Sequence, residues 1–130
     1  MATTTASITI SSGDLTGDAL SLSTSTQLKK AGVSTGLDQT TGVARKILTT
    51  TGVVTLLTAS EYTSNKAHKV FVRNISSSAS ESITVTVGSQ DIGKIFGGDF
   101  IFIPWEGSAD LKVAANTANM VVEFLLIYEA

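Results

Sequence analysis

Ile83-Thr84-Val85-Thr86-Val87-Gly88-Ser89-Gln90 is the stretch that decides the fold class. Its apolar residues alternate with threonines, the period of two that sends successive side chains to opposite faces of a strand. Gly88-Ser89 then supplies a two-residue connection with glycine first, the requirement of a type II′ hairpin turn. The chain is therefore expected to turn back into Gln90–Phe96 as an antiparallel partner, until Gly97-Gly98 breaks that strand.

The same reading extends outward. Upstream, Arg45–Thr49 and Val53–Leu57 are short β-branched runs joined at Thr51-Gly52. Lys69–Asn74 puts Val70 and Val72 on one face, with Phe71 and Arg73 on the other. Downstream, Phe100-Ile101-Phe102-Ile103 is apolar on both faces and stops at Pro104, which has no N–H to give a ladder. Asp110–Ala115 and Met120–Tyr128 follow, separated by the turn-rich Asn116-Thr117-Ala118-Asn119. One helical turn is expected over Ser60–Asn65, because Thr58-Ala59-Ser60-Glu61 fits a capping box. Roughly seven or eight short strands, with turns every eight to twelve residues or so, predict an all-β chain built as an antiparallel β-sandwich, jelly-roll-like.

The two ends of the chain differ. All eight aromatic residues lie at or after Tyr62, and aromatics supply the largest buried areas of a core. Residues 43–130 are thus expected to form the sandwich body. Residues 1–42 hold Thr, Ser, Gly and small aliphatics with five charges. Ile8/Ile10 and Leu20/Leu22 alternate between turn signals at Ser12-Gly13-Asp14 and Gly17-Asp18, which reads as strand rather than disorder. An extended N-terminal arm is expected there, with a reach on the order of 140 Å if fully stretched. The alternative is that these strands complete the sandwich in cis.

Composition narrows the chemistry. In 130 residues, 9 basic and 11 acidic side chains give a net charge of −2, and only 15% are charged. Ordinary soluble domains carry roughly 25%. There is no basic excess for a nucleic-acid backbone. The longest apolar run, Met120–Tyr128, is far short of the roughly 20 residues of a membrane-spanning helix and contains Glu123. No secretory signal is read at Met1-Ala2-Thr3-Thr4-Thr5. The absence of cysteine excludes disulfides, thiolate zinc sites and cysteine nucleophiles.

The local motifs that remain are structural on inspection. Gly88-Ser89-Gln90-Asp91-Ile92-Gly93-Lys94 matches a phosphate loop except that Ile95 replaces the magnesium-binding hydroxyl, and the pattern around it is β. Asp14-x-Thr16-x-Asp18 has alternate oxygens but lacks the glycine and distal glutamate of a calcium loop. His68, the one histidine, lies between Lys66 and Lys69 and reads as an exposed loop residue. Asn74-Ile75-Ser76 is a glycosylation sequon. Lys66, Lys69 and Arg73, with Arg45 and Lys46, read as solvated charge or as a small basic patch. No nucleophile-elbow pattern selects any serine. No enzyme activity, catalytic residue, metal or cofactor is therefore expected. The candidate residues are instead contacts: Ile8, Ile10, Leu20 and Leu22 in the arm, with Phe100, Phe102, Trp105 and Phe124 in the body, where Trp105 reads equally as a core plug at the end of the sandwich.

Four segments together carry a resemblance. They are Thr3-Thr4-Thr5-Ala6 with Leu15–Leu22, Gly36–Gly42, Tyr62–Val70, and Gly98-Asp99-Phe100-Ile101-Phe102-Ile103-Pro104-Trp105. The combination resembles small virion structural proteins of tailed phages infecting marine cyanobacteria. The resemblance implies a particle component in many copies, located in the virion, with no catalytic residues. The expected function is a capsid decoration (cement) protein that bridges shell subunits. Its expected partners are the major capsid protein or other virion proteins, and further copies of itself in a homo-oligomer. The alternative is a tail- or fibre-associated receptor- or glycan-binding domain, for which Trp105 with Asp110 is the candidate sugar platform.

Overall fold

The computed structural model describes residues 2–130, and they form an all-β chain. The strands are β1 (Thr5–Ser12), β2 (Leu20–Gln27), β3 (Gln39–Thr40), β4 (Ala44–Leu48), β5 (Val54–Leu57) and β6 (Lys69–Asn74). They continue with β7 (Ser82–Val87), β8 (Gln90–Phe96), β9 (Phe100–Pro104), β10 (Leu111–Ala115) and β11 (Met120–Tyr128). Every pairing between them is antiparallel. Two sheets make the body. One runs β5-β10-β7-β8; the other runs β3-β11-β6-β9, with β4 also paired to β11.

The β7–β8 hairpin forms as its sequence dictates. Ile83 pairs with Ile95 and Val87 with Gln90, and Gly88 alone of the two turn residues has a positive φ, +63°. A side chain would be strained in that conformation. Ile83 and Val85 face inward with Leu111, Val113 and Ala115 of β10 and Leu57 of β5. From the other sheet come Leu48, Val70, Val72, Met120, Val122 and Leu126. These residues make one hydrophobic cluster between the two sheets, an arrangement consistent with a β-sandwich. Burying each large aliphatic side chain is worth about 1.5–3 kcal/mol, so this shared cluster dominates the stability of the body.

Two local expectations need correction. The helical turn is a 3-10 turn at Ala59–Glu61 rather than Ser60–Asn65, and Thr58 makes no side-chain cap bond. Asp110 takes that role from 51 residues away, its Oδ1 accepting the Ala59 N–H at 2.7 Å. The boundary expected at residue 42 also moves. Leu28 and Leu37 are buried, and the Leu37 N–H donates to the Leu28 carbonyl at 3.0 Å. Thr40 Oγ1 donates to the Leu126 carbonyl at 2.8 Å, and β3 pairs with β11. The segment 28–41 therefore packs as part of the body.

What precedes it is a hairpin. β1 and β2 pair over their full length, from Thr5 with Gln27 to Ser12 with Leu20, and among the described residues with no other strand. They form a separate two-stranded sheet and complete neither body sheet. Because the eight-residue strands fold back on each other, this ribbon spans about 27 Å at ~3.4 Å per residue rather than the stretched reach.

Candidate interaction surface

Residues directly opposite in an antiparallel pair point to the same side. The register therefore sorts the ribbon into two unlike faces. Ile8, Ile10, Leu20 and Leu22 share one face, with Ile10 opposite Leu22. Ser7, Thr9, Ser11, Ser21, Ser23 and Ser25 make the other, where Thr9 and Ser23 hydroxyls meet at 3.5 Å. The four aliphatic side chains are 39–50% exposed. Asp14 and Asp18, in the seven-residue loop at the tip, are the only ionisable side chains between Ala2 and Leu28.

A second apolar surface lies on the outer face of the β3-β11-β6-β9 sheet. Strand alternation resolves the two-faced run of β9: Ile101 and Ile103 pack against the core, while Phe100 and Phe102 point outward, 55% and 41% exposed. Cross-strand register places Phe102 beside Phe71 and Phe71 beside Leu125. The Phe71 and Phe100 ring centroids are 5.8 Å apart. A charged row adjoins this apolar one. Phe100 pairs with Arg73, Arg73 with Glu123, and Glu123 with Arg45. Arg45 Nε donates to Glu123 Oε2 at 2.9 Å. Lys69 Nζ donates to the Ala67 carbonyl at 2.8 Å, and partial burial pushes its pKa below the usual lysine value.

The two surfaces meet across an open cleft of about 590 Å³. The lower half of the ribbon lines it with Ala6, Ile8, Thr24 and Thr26 and with Ser7, Thr9 and Ser25, and Phe71, Phe100 and Phe102 line it from the sheet. Ile10, Leu20 and Leu22 lie farther along the ribbon and do not line it. The structure thus brings together Ile8, Phe100 and Phe102 from the residues expected to make contacts, and adds Phe71.

Two other candidates are not surface residues. Trp105 is 2% exposed, and its Nε1 donates to the Ala109 carbonyl at 2.8 Å. Its ring meets Tyr62 edge-on at 5.4 Å and His68 at 5.8 Å. With Trp105 in the core and Asp110 capping the 3-10 turn, that pair is no sugar platform. Phe124 packs against the core from the inner side of β11. Its place in the strand puts it on the same side as buried Val122 and Leu126.

His68 is fully buried, contrary to the expectation of an exposed loop residue. Its Nε2–H donates to the Thr63 carbonyl at 2.8 Å, and its Nδ1 accepts the Glu129 N–H at 3.2 Å, so the bonding assigns a neutral ring. The Glu129 carboxylate accepts N–H groups from Ala31 at 2.8 Å and Ala67 at 3.3 Å, with Lys66 Nζ 3.7 Å away. Burial alone would raise its pKa. Those N–H bonds, with Lys66, outweigh burial and hold the carboxyl below its usual range. Asn74 of the sequon is also fully buried, its Nδ2 donating to Glu81 and Ile95 carbonyls at 3.0 Å. Among the described residues no buried side-chain nitrogen or oxygen lacks a partner. These groups are framework. The phosphate-loop-like segment is the β8 strand of a hairpin, with no helix N-terminus to receive an anion.

Comparison with protein-family models, with curated proteins and with solved structures gave no match.

Proposed function

We propose that the chain is a structural component of a phage virion, a capsid decoration protein that bridges neighbouring shell subunits. In this reading the β1–β2 ribbon is its N-terminal arm and residues 28–130 form a jelly-roll-like sandwich. One observation carries it: the ribbon holds an apolar ladder in water and pairs with no strand but its own partner. An isolated two-stranded hairpin is marginal in water, so its stable form is the one in which a neighbour covers that ladder.

The strand order supports the jelly-roll part of the reading. Numbering β4 to β11 as body strands one to eight, the sheets run 1-8-3-6 and 2-7-4-5. That is the order of two interleaved Greek keys, an architecture used by viral capsid domains. The resemblance carried by Leu15–Leu22, Tyr62–Val70 and Gly98–Trp105 supports the virion part. Sparse surface charge supports a surface meant for cover, because uncharged strand edges invite pairing.

Add-back tests this reading. Particles lacking the protein are mixed with purified wild-type or Leu22→Asp chain and sedimented. Wild type co-sediments and Leu22→Asp stays in solution. Equal recovery of both, or of neither, would remove the ribbon from the account.

A further inference from the structure

We infer that the cleft between the ribbon and the β6–β9 face is filled by the distal half of the ribbon of a second copy of this chain, each copy giving its ribbon tip to the other. The inference rests on the bridging reading above and names one partner for the same surface.

The cleft cannot be filled from within. Its ribbon wall is made by Ala6, Ile8, Thr24 and Thr26 together with Ser7, Thr9 and Ser25, while the side chains that would suit its phenylalanine wall, Ile10, Leu20 and Leu22, sit beyond it on the same pair of strands. Each copy therefore carries an apolar cavity with no filling and an apolar ladder with no cover. A two-fold exchange satisfies both, because in an isologous pair each contact is made twice.

Charge and area agree with that occupant. The ribbon and its tip carry Asp14 and Asp18, a charge of −2, with no basic residue before Lys29. The outer sheet face presents Arg45, Lys69 and Arg73 against Glu123, a charge of +2. A ribbon laid across that face brings opposite signs together, which steers the encounter and fixes orientation. The exposed parts of Ile8, Ile10, Leu20, Leu22, Phe100 and Phe102 amount to roughly 550 Å² at about 200 Å² per large side chain. Two copies thus offer roughly 1,100 Å² of apolar surface, before flanking polar atoms are added. Stable specific interfaces bury about 1,200–2,000 Å² in total, and the exchange reaches the lower edge of that range only with the flanking polar atoms included.

The full-length chain is tested by sedimentation velocity and by cross-linking, aided by its lack of cysteine. Wild type is expected to sediment as a dimer, and Leu22→Asp and Phe102→Asp as folded monomers by circular dichroism. When a Leu22→Cys copy is mixed with a Phe102→Cys copy under oxidising conditions, a disulfide-linked heterodimer is expected. A mixture of Leu22→Cys with a Ser23→Cys copy, whose cysteine lies on the hydroxyl face, should give little. A monomeric wild type, dimeric Asp variants, or equal cross-linking in the two mixtures would overturn the exchange. A monomer that still co-sediments with particles refutes the exchange and leaves the virion reading intact. A dimer that never joins particles refutes the virion reading and leaves the exchange intact.

Discussion

The Glu129 carboxylate accepts the backbone N–H of Ala31 at 2.8 Å, joining positions 98 residues apart. Ala31 lies in the segment that follows the ribbon, so this bond ties the base of the ribbon to the end of β11. The same oxygen also accepts the Ala67 N–H.

That clamp predicts an acid limb in stability. The folded-state pKa of Glu129 is held below its unfolded value. Its contribution is therefore complete above the unfolded pKa and is lost as pH falls through the folded one. Melting temperature measured between about pH 6 and pH 3 should drop in wild type, and Glu129→Gln should flatten part of that drop while lowering the plateau near neutrality. Parallel curves for the two proteins would show that the carboxylate charge contributes nothing.

Trp105→Ala should destabilise the body by roughly 3–5 kcal/mol, the range for truncating a fully buried aromatic. Part of that loss is the Nε1 bond to Ala109, worth about 1 kcal/mol, which a Trp105→Phe variant loses together with the packing of the second ring. Urea denaturation measures both. A loss near zero for Trp105→Ala would put the indole on the surface.

Phe102→Ala should behave in the opposite way. Being 41% exposed on the outer face, the ring should contribute about 1 kcal/mol or less to the stability of a single copy. The same substitution should markedly weaken association, measured by sedimentation of the same preparation. A loss of 3 kcal/mol or more in the monomer would make Phe102 a core residue.

Removing residues 2–27 should leave a folded body, because among the described residues β1 and β2 pair with no body strand and the Leu28 N–H to Thr4 carbonyl bond is lost at the edge of the body. Extending the deletion to residue 42 removes buried Leu28 and Leu37, the Ala31 N–H bonded to Glu129, and β3, which pairs with β11, and should lower the melting temperature sharply. Thermal unfolding of the two truncations separates these cases. Equal stability would return the boundary to residue 42.

These contrasts show where the sequence was legible. Ile83–Val87 announced its strand and Gly88 its turn, because alternation and a left-handed backbone position are local properties. Phe100–Ile103 was readable as two-faced, and only the register with Phe71 decided which face holds the phenylalanines. His68 was not readable, and Trp105 was readable only as either an interface residue or a core plug. Their burial rests on Thr63, Ala109 and Glu129, and the Glu129 N–H arrives from 61 residues away with no pattern linking it to His68. Leu28 and Leu37 are single apolar residues in a Ser/Thr-rich stretch, too isolated to show a period. Ile8/Ile10 and Leu20/Leu22 showed two strands, but not that they pair with each other.

The proposed bridging role is tested most directly by counting copies of the chain in purified virus particles from a source that carries its gene, using isotope-labelled peptide standards. The account predicts hundreds of copies per particle, as shell decoration requires. Its absence from the particle would contradict the account, and a count of a few to tens would move the protein from shell to tail.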